Sequence, residues 1–401
     1  MNLPTPVPHA LSALREDLEI SFQVDRAGRH ECVVRDPRNG NVYCFPRKAF
    51  DILRLTRAGM TLADLSAAVP AAAPPKVAAL VAKAAAAGLF DDVAHVAVAN
   101  GAGRRRHLLR LFWVIGEWPV ERLARRCTPL LAPLFGVLRI PVACLLLAAL
   151  AMLAWHGARY VDMLKILPGY PWWGQTVPLL LASYLWHELG HLSAACLYGA
   201  RQARAGVVLY LLVPAAFVRI DDVHLIAQRR QRVAVALAGV YFDAIVFALA
   251  FLLWCASQNF SVINQVCLVV SLGAAVRIGA NLFPFWRMDG YRALEELCGV
   301  RKLRVRAVQA LLALLPGARW LPPGRRHGVP RAALIGYAAL HLLASLSMVL
   351  WTHQFFMQLM GAAGAGWGRV AAFGAAGLVA LSLVLQTASD ARQTYTGRAP
   401  C

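Results

Sequence analysis

The sequence predicts a mainly α-helical, polytopic membrane bundle of about six spans, preceded by a small cytosolic α+β domain. Three observations carry that prediction. First, 59% of the 401 residues are hydrophobic and only 15% are charged, with a mean hydropathy of +0.54, which is outside the balance of soluble globular chains. Second, six stretches are apolar enough to cross roughly 30 Å of hydrocarbon, which takes about 20 helical residues each: 137–156, 176–198, 233–256, 263–286, 332–353 and 367–387. Third, the first 95 residues lack such a stretch and alternate β-rich runs with short helical patterns.

In that leading part, Leu18–Val24, Glu31–Arg35 and Val42–Phe45 are β-rich runs separated by the turn-forming Asp25-Arg26-Ala27-Gly28 and Asp36-Pro37-Arg38-Asn39-Gly40. They predict a small antiparallel sheet. Ala49–Leu55 has helical spacing, Thr61 is placed to cap a second helix, and a third runs from Pro75 to Ala87, ending at Gly88 with Leu89-Phe90 folding back. The sequence thus divides into a cytosolic domain (1–95), a basic linker and juxtamembrane segment (96–136), a membrane core (137–300), and an interfacial helix with two further spans (301–401). Arg104-Arg105-Arg106 in the linker suits a surface of anionic lipid headgroups.

The formal charge of +20 is explained by topology rather than by a nucleic-acid partner. Segments 99–139, 199–232, 287–331 and 387–401 carry 8, 6, 10 and 2 Lys/Arg, while the alternate loops 156–175, 257–262 and 354–366 carry 2, 0 and 0. By the positive-inside rule this places both termini in the cytoplasm. Met1–Asp17 has no apolar core of signal-peptide length, so the first hundred residues are expected to stay cytosolic. The nine cysteines form no C-x-x-C pair and are expected to be reduced packing residues.

The chemistry is concentrated in His187-Glu188-Leu189-Gly190-His191, inside the second span. Histidines four apart project from one helix face, so both imidazoles can close on one metal while Glu188 stands beside it. Charged and imidazole groups within hydrocarbon are costly unless they face a polar cavity and have a use. A catalytic zinc normally takes three protein ligands. The candidate third is Asp289, in Asn281-Leu282-Phe283-Pro284-Phe285-Trp286-Arg287-Met288-Asp289-Gly290, where Pro284 ends the fourth span and Gly290 permits a close turn.

A membrane-helix H-E-x-x-H followed by N-x-x-P-x-x-x-x-D-G resembles the site-2 protease family of intramembrane zinc metallopeptidases. Within it, the closest likeness is to the peptide zinc metalloproteases found beside peptide modification and export systems. The resemblance implies that His187, His191 and Asp289 bind Zn2+, that Glu188 is the catalytic carboxylate, and that Asn281 positions the substrate or supports the site. It implies hydrolysis of a peptide bond by water that the metal activates and Glu188 deprotonates. The order of strands and helices in 12–93, with Asp36-Pro37, Gly40, Tyr43, Ala49-Phe50 and Leu53, resembles the PqqD-like winged-helix domain that recognises precursor peptides. There the leader of a ribosomally made peptide adds as a strand to the sheet edge; a purely stabilising or partner-binding domain is the other reading.

Together these features predict an endopeptidase of the bacterial cytoplasmic membrane that removes the leader of a ribosomal precursor peptide. Its expected partners are that peptide, membrane lipids, and peptide modification or export proteins. Regulated cleavage of a membrane-anchored regulator is the second reading, and a non-proteolytic export or immunity partner the third. Five further expectations concern polar and short segments. Asp243 in the third span pairs with Arg277 in the fourth. Ala205–Val218, too short to cross, is a re-entrant or edge-strand loop. Asp221, Asp222 and His224 form a solvated turn, and Leu303–Leu315 is an interfacial helix. His156, His327 and His341 have no matching ligand pattern.

Overall fold

The computed structural model describes residues 11–24, 28, 30–38, 42–91, 112–166, 173–200, 202–210, 213–300, 302–314, 329–360 and isolated positions from 373 to 384. Two compact units emerge. One is built from the chain up to residue 110 together with 224–228, the other from 111–223 and the residues after 228.

In the first unit, β1 (Glu19–Val24), β2 (His30–Arg35) and β3 (Val42–Pro46) form an antiparallel sheet in the order β1-β2-β3. The register aligns Phe22 with Cys32 and Cys32 with Phe45, so alternate residues share one face. Cys32, Val34 and Phe45 on that face bury against Phe50 and Leu53 of α1 (Arg47–Leu53), Leu65 of α2 (Leu62–Ala68) and Val77 and Val81 of α3 (Pro74–Ala86). All three strands and helices lie within a few residues of their predicted positions. Gly88 ends α3 with a positive φ of 70°, and Leu89 and Phe90 fold back into the core.

Two polar devices fix this unit. The buried Arg15 guanidinium holds Asp36 through bonds of 2.7 and 3.2 Å, grips Asp17, and donates to the Gly88 carbonyl at 2.9 Å. It thereby ties the entry segment, the end of β2 and the end of α3 together. Hydrogen bonding from Arg15 holds the Asp17 carboxyl down at about 2. At α2, the Thr61 hydroxyl accepts from the Asp64 N–H at 3.2 Å while the Asp64 carboxylate accepts from the Thr61 N–H at 2.9 Å, a reciprocal cap. Thr61→Ala is expected to cost about 1 kcal/mol locally. Amides of residues 62–68 in the full chain should then exchange with deuterium about fivefold faster, while those of α3 keep their native rates.

The second unit comprises β4 (Phe112–Pro119), α4 (Glu121–Phe135), α5 (Arg139–Ile166), α6 (Trp173–Leu197), β5 (Ala203–Tyr210), β6 (Val213–Ile220), α7 (Arg229–Ala256), α8 (Val262–Leu282), α9 (Asp289–Cys298), α10 (Leu303–Leu312) and α11 (Arg331–Met360). Among the described residues, four helices are long and apolar enough to span a membrane: 139–163, 229–256, 262–282 and 331–354. They match four of the six predicted spans. The second predicted span is α6, which at 25 residues has the length but is absent from the four, its apolar run diluted by the polar residues at 187, 188 and 191. The sixth lies mostly outside the described residues. α7 is central, with 56% of its apolar window buried against 11% for α5 and α11, whose bare flanks face the lipid.

Several expectations are corrected. Residues 92–111 lie outside the described residues, but from 112 on the presumed linker carries regular structure: β4 pairs with β5 and α4 seats Ala124 against Leu192 and Ala203. A strand whose partner is some 90 residues away leaves no local signature, and Pro129 and Pro133 disguise the helix. The edge-strand expectation for Ala205–Val218 agrees with the structure: the segment supplies the paired strands β5 and β6, with β6 last in the order β4-β5-β6. Asp222 is not solvated; it is buried and accepts the Gln202 N–H at 3.1 Å. α10 does not lie on a surface by one face, because Arg304 is fully buried with Leu303, Val305 and Ala307. The eight described cysteines are free.

Candidate metal centre

Three elements carry the site, and each is shaped locally by its sequence. α6 continues through His187–His191 because its apolar neighbours pack on α7 and nothing after Pro178 breaks it. α8 stops at Leu282: Phe283, which precedes Pro284, takes an extended conformation (φ −68°, ψ 115°), as the clash with the proline ring demands. The chain turns and restarts at once as α9, with Asp289 in its first turn. The return is tight. A Cβ on Gly290 would lie 2.4 Å from the Leu282 carbonyl oxygen and 2.8 Å from that of Asn281, so only glycine lets α9 start against the end of α8.

This geometry brings His187, His191 and Asp289 together. His191 Nε2 lies 3.2 Å from His187 Nε2 and 3.1 Å from Asp289 Oδ2, and His187 Nε2 lies 3.3 Å from the same oxygen. All three residues are buried, and they are the one group of three potential metal donors among the described residues. Asp289 turns one carboxylate oxygen toward both imidazoles and so offers an oxygen donor beside the two ring nitrogens.

The rings are fixed from behind. His191 Nδ1–H donates to the Val235 carbonyl at 2.8 Å, and since a carbonyl can only accept, Nε2 is left with the lone pair. His187 Nδ1–H donates to Asp243 Oδ2 at 2.7 Å with the same consequence. Asp243 Oδ1 takes the Arg277 fork at 3.0 and 2.8 Å, so the expected Asp243–Arg277 pair is present. Val235, Gly239 and Asp243 follow one another at four-residue intervals on α7 and form one stripe opposite the histidines.

Gly239 provides a direct test of whether a metal fits. A Cβ there would fall 2.4 Å from His191 Nε2 and 2.5 Å from His187 Nε2, so the glycine keeps clear the space onto which both lone pairs converge. A tetrahedral zinc with bonds of about 2.0–2.1 Å places its donors about 3.3–3.4 Å apart, close to the separations here. Two imidazoles and one carboxylate also match the donor set of catalytic zinc sites.

Glu188 is half-buried beside this group, and its carboxylate accepts from the Val218 N–H of β6. One turn earlier, the Tyr184 hydroxyl donates to the Ala216 carbonyl at 3.1 Å. Ala216 and Val218 are two apart in an edge strand, so these backbone groups lie on the edge of β6 that no strand covers among the described residues. Asn281 ends α8 and is half-buried, its backbone carbonyl against Gly290 and its carboxamide unpaired among the described residues.

Comparison with known proteins bears on this arrangement. Residues 175–277 match Peptidase family M50. The match, about a quarter of the chain, contains His187–His191, the β5–β6 hairpin, Gly239, Asp243 and Arg277, and ends before Asn281 and Asp289. M50 peptidases are zinc-dependent, and with this domain the chain is a zinc metallopeptidase, site-2 protease-like in the matched segment, and an integral membrane protein. No curated protein and no solved structure matches it. The sequence missed Gly239, the Val235 carbonyl and the link from Asp243 to His187. The signal that reveals them is the matched four-residue spacing of α6 and α7.

Proposed function

We propose that this metallopeptidase cleaves a ribosomally made precursor peptide at the cytoplasmic face of a bacterial membrane, removing a leader held by the N-terminal unit. The observation that carries endoproteolysis is the outer edge of β6 beside Glu188, whose Ala216 carbonyl and Val218 N–H are held by the side chains of Tyr184 and Glu188 and would pass to an incoming strand. An extended peptide added there offers its carbonyls to the site, whereas a helical peptide keeps them in its own hydrogen bonds. In the reaction, Glu188 takes a proton from the attacking water and returns it to the leaving amine. His187, His191 and Asp289 would hold the zinc, which would supply polarisation of the scissile carbonyl and acidification of water. Asn281, at the end of α8, is the positioning group for substrate.

Leader capture is supported by the edge strand β1. Ile20, Phe22 and Val24 share the sheet face of Cys32 and Val34, yet are 45%, 40% and 52% exposed. An added strand would cover this row and satisfy the open backbone edge. The opposite face of β1 is already engaged, since Ser21 donates to the Leu225 carbonyl and Gln23 to that of His224. The basic-residue asymmetry supports cytoplasmic termini, and no nucleic-acid partner is needed to explain the charge.

Ile20→Asp combined with Val24→Asp in the full chain is expected to raise KM for a leader-bearing precursor about tenfold or more, and to leave hydrolysis of a short leaderless peptide unchanged. Equal effects on both substrates would end the capture reading and leave the peptidase assignment intact. Candidate precursors co-expressed with native or Glu188→Gln protein, followed by mass spectrometry, identify the cleaved bond.

A further inference from the structure

Asp243 is fully buried and divides its two oxygens between different partners: Oδ2 receives His187 Nδ1–H at 2.7 Å, and Oδ1 receives Arg277 Nε and Nη2 at 3.0 and 2.8 Å. A carboxylate with no exposure is expensive unless a cation compensates it. Arg277 does so, and its planar fork also fixes the carboxylate plane. With Oδ1 occupied by two donors, Oδ2 is aimed at the imidazole, and the ring of His187 turns its Nε2 toward the gap at Gly239.

The two histidines are supported unequally. His191 leans on a neutral carbonyl, whereas His187 leans on an anion, which makes its ring the more electron-rich donor. The pair also joins three elements: Asp243 on α7 reaches His187 on α6 and Arg277 on α8, whose far end turns into Asp289.

Resting on the zinc reading above, we propose that Arg277 and Asp243 are positioning residues for the metal ligand His187, setting its tautomer, orientation and donor strength and so tuning zinc affinity, beyond merely neutralising each other in the membrane. A charge-pairing role alone predicts that removing both charges together restores everything. The positioning role predicts that it does not.

The test uses the full chain in detergent micelles, with zinc affinity read by competition against a chromogenic chelator and folding by thermal unfolding. Asp243→Asn combined with Arg277→Gln removes both charges and leaves an amide oxygen facing His187. The expected result is a native-like melting temperature with zinc affinity reduced about 10- to 100-fold, and kcat at limiting zinc falling while KM for a short peptide stays constant. Affinity within twofold of native in the folded double variant overturns the proposal. Should that variant not fold, Arg277→Lys decides. It keeps the charge but loses the fork, and is expected to weaken zinc about 3- to 10-fold; native affinity there overturns the proposal equally. A native chain that binds no zinc would instead strike down the metal-site reading on which the proposal rests.

Discussion

Glu188→Gln is expected to retain a full complement of zinc and to lose peptide-bond hydrolysis by about two to four orders of magnitude, the usual worth of a positioned general base and acid. The two consequences separate because Glu188 is not one of the three converging donors: its carboxylate turns to the Val218 N–H, while the imidazoles and Asp289 face one another. Glutamine keeps the shape and accepts the same N–H, so the β6 edge and α6 stay in place, but it takes up no proton. Metal content by atomic emission, alongside turnover of a fluorogenic peptide, checks both. Unchanged turnover would remove Glu188 from the chemistry, and lost zinc would make it a ligand.

Gly239→Ala is expected to empty the site. Alanine is the better helix former by about 0.5–1 kcal/mol, so propensity alone favours the substitution in α7. The added methyl nevertheless meets both Nε2 atoms at 2.4 and 2.5 Å, and the rings have nowhere to go because Val235 and Asp243 hold them from behind. The expected result is zinc below a tenth of an equivalent and no measurable hydrolysis. Gly279→Ala is the control: a Cβ there meets nothing within 4 Å, so it should leave zinc content native. Native zinc in Gly239→Ala would show that the donors bind their ion somewhere other than the gap opposite α7.

Much of this architecture was legible before any coordinates, for identifiable reasons. Strand alternation, the Thr61 cap and Gly88 are local signals, and the N-terminal unit obeys them. Asp289 was legible because Pro284 and Gly290 dictate a turn whatever surrounds them. What escaped was non-local. β4 depends on β5, whose partner residues lie some 90 positions on, and the buried Arg304 of α10 was unreadable as anything but a surface residue. The pairing of Asp243 with Arg277 followed from the cost of a lone charge in lipid. Its second bond, to His187, did not, because it depends on how α6 and α7 cross.

The backing of the two rings bears on when the cation arrives. In a zinc finger the ligands assemble only around the ion, so assembly and metallation are one event. Here a carbonyl, a carboxylate and the chain reversal at Gly290 hold the donors in register by bonds that involve no ion. Loading is therefore expected to be a late, reversible step on a finished scaffold: a chelated sample should recover by simple dialysis against zinc, without passing through an unfolded chain.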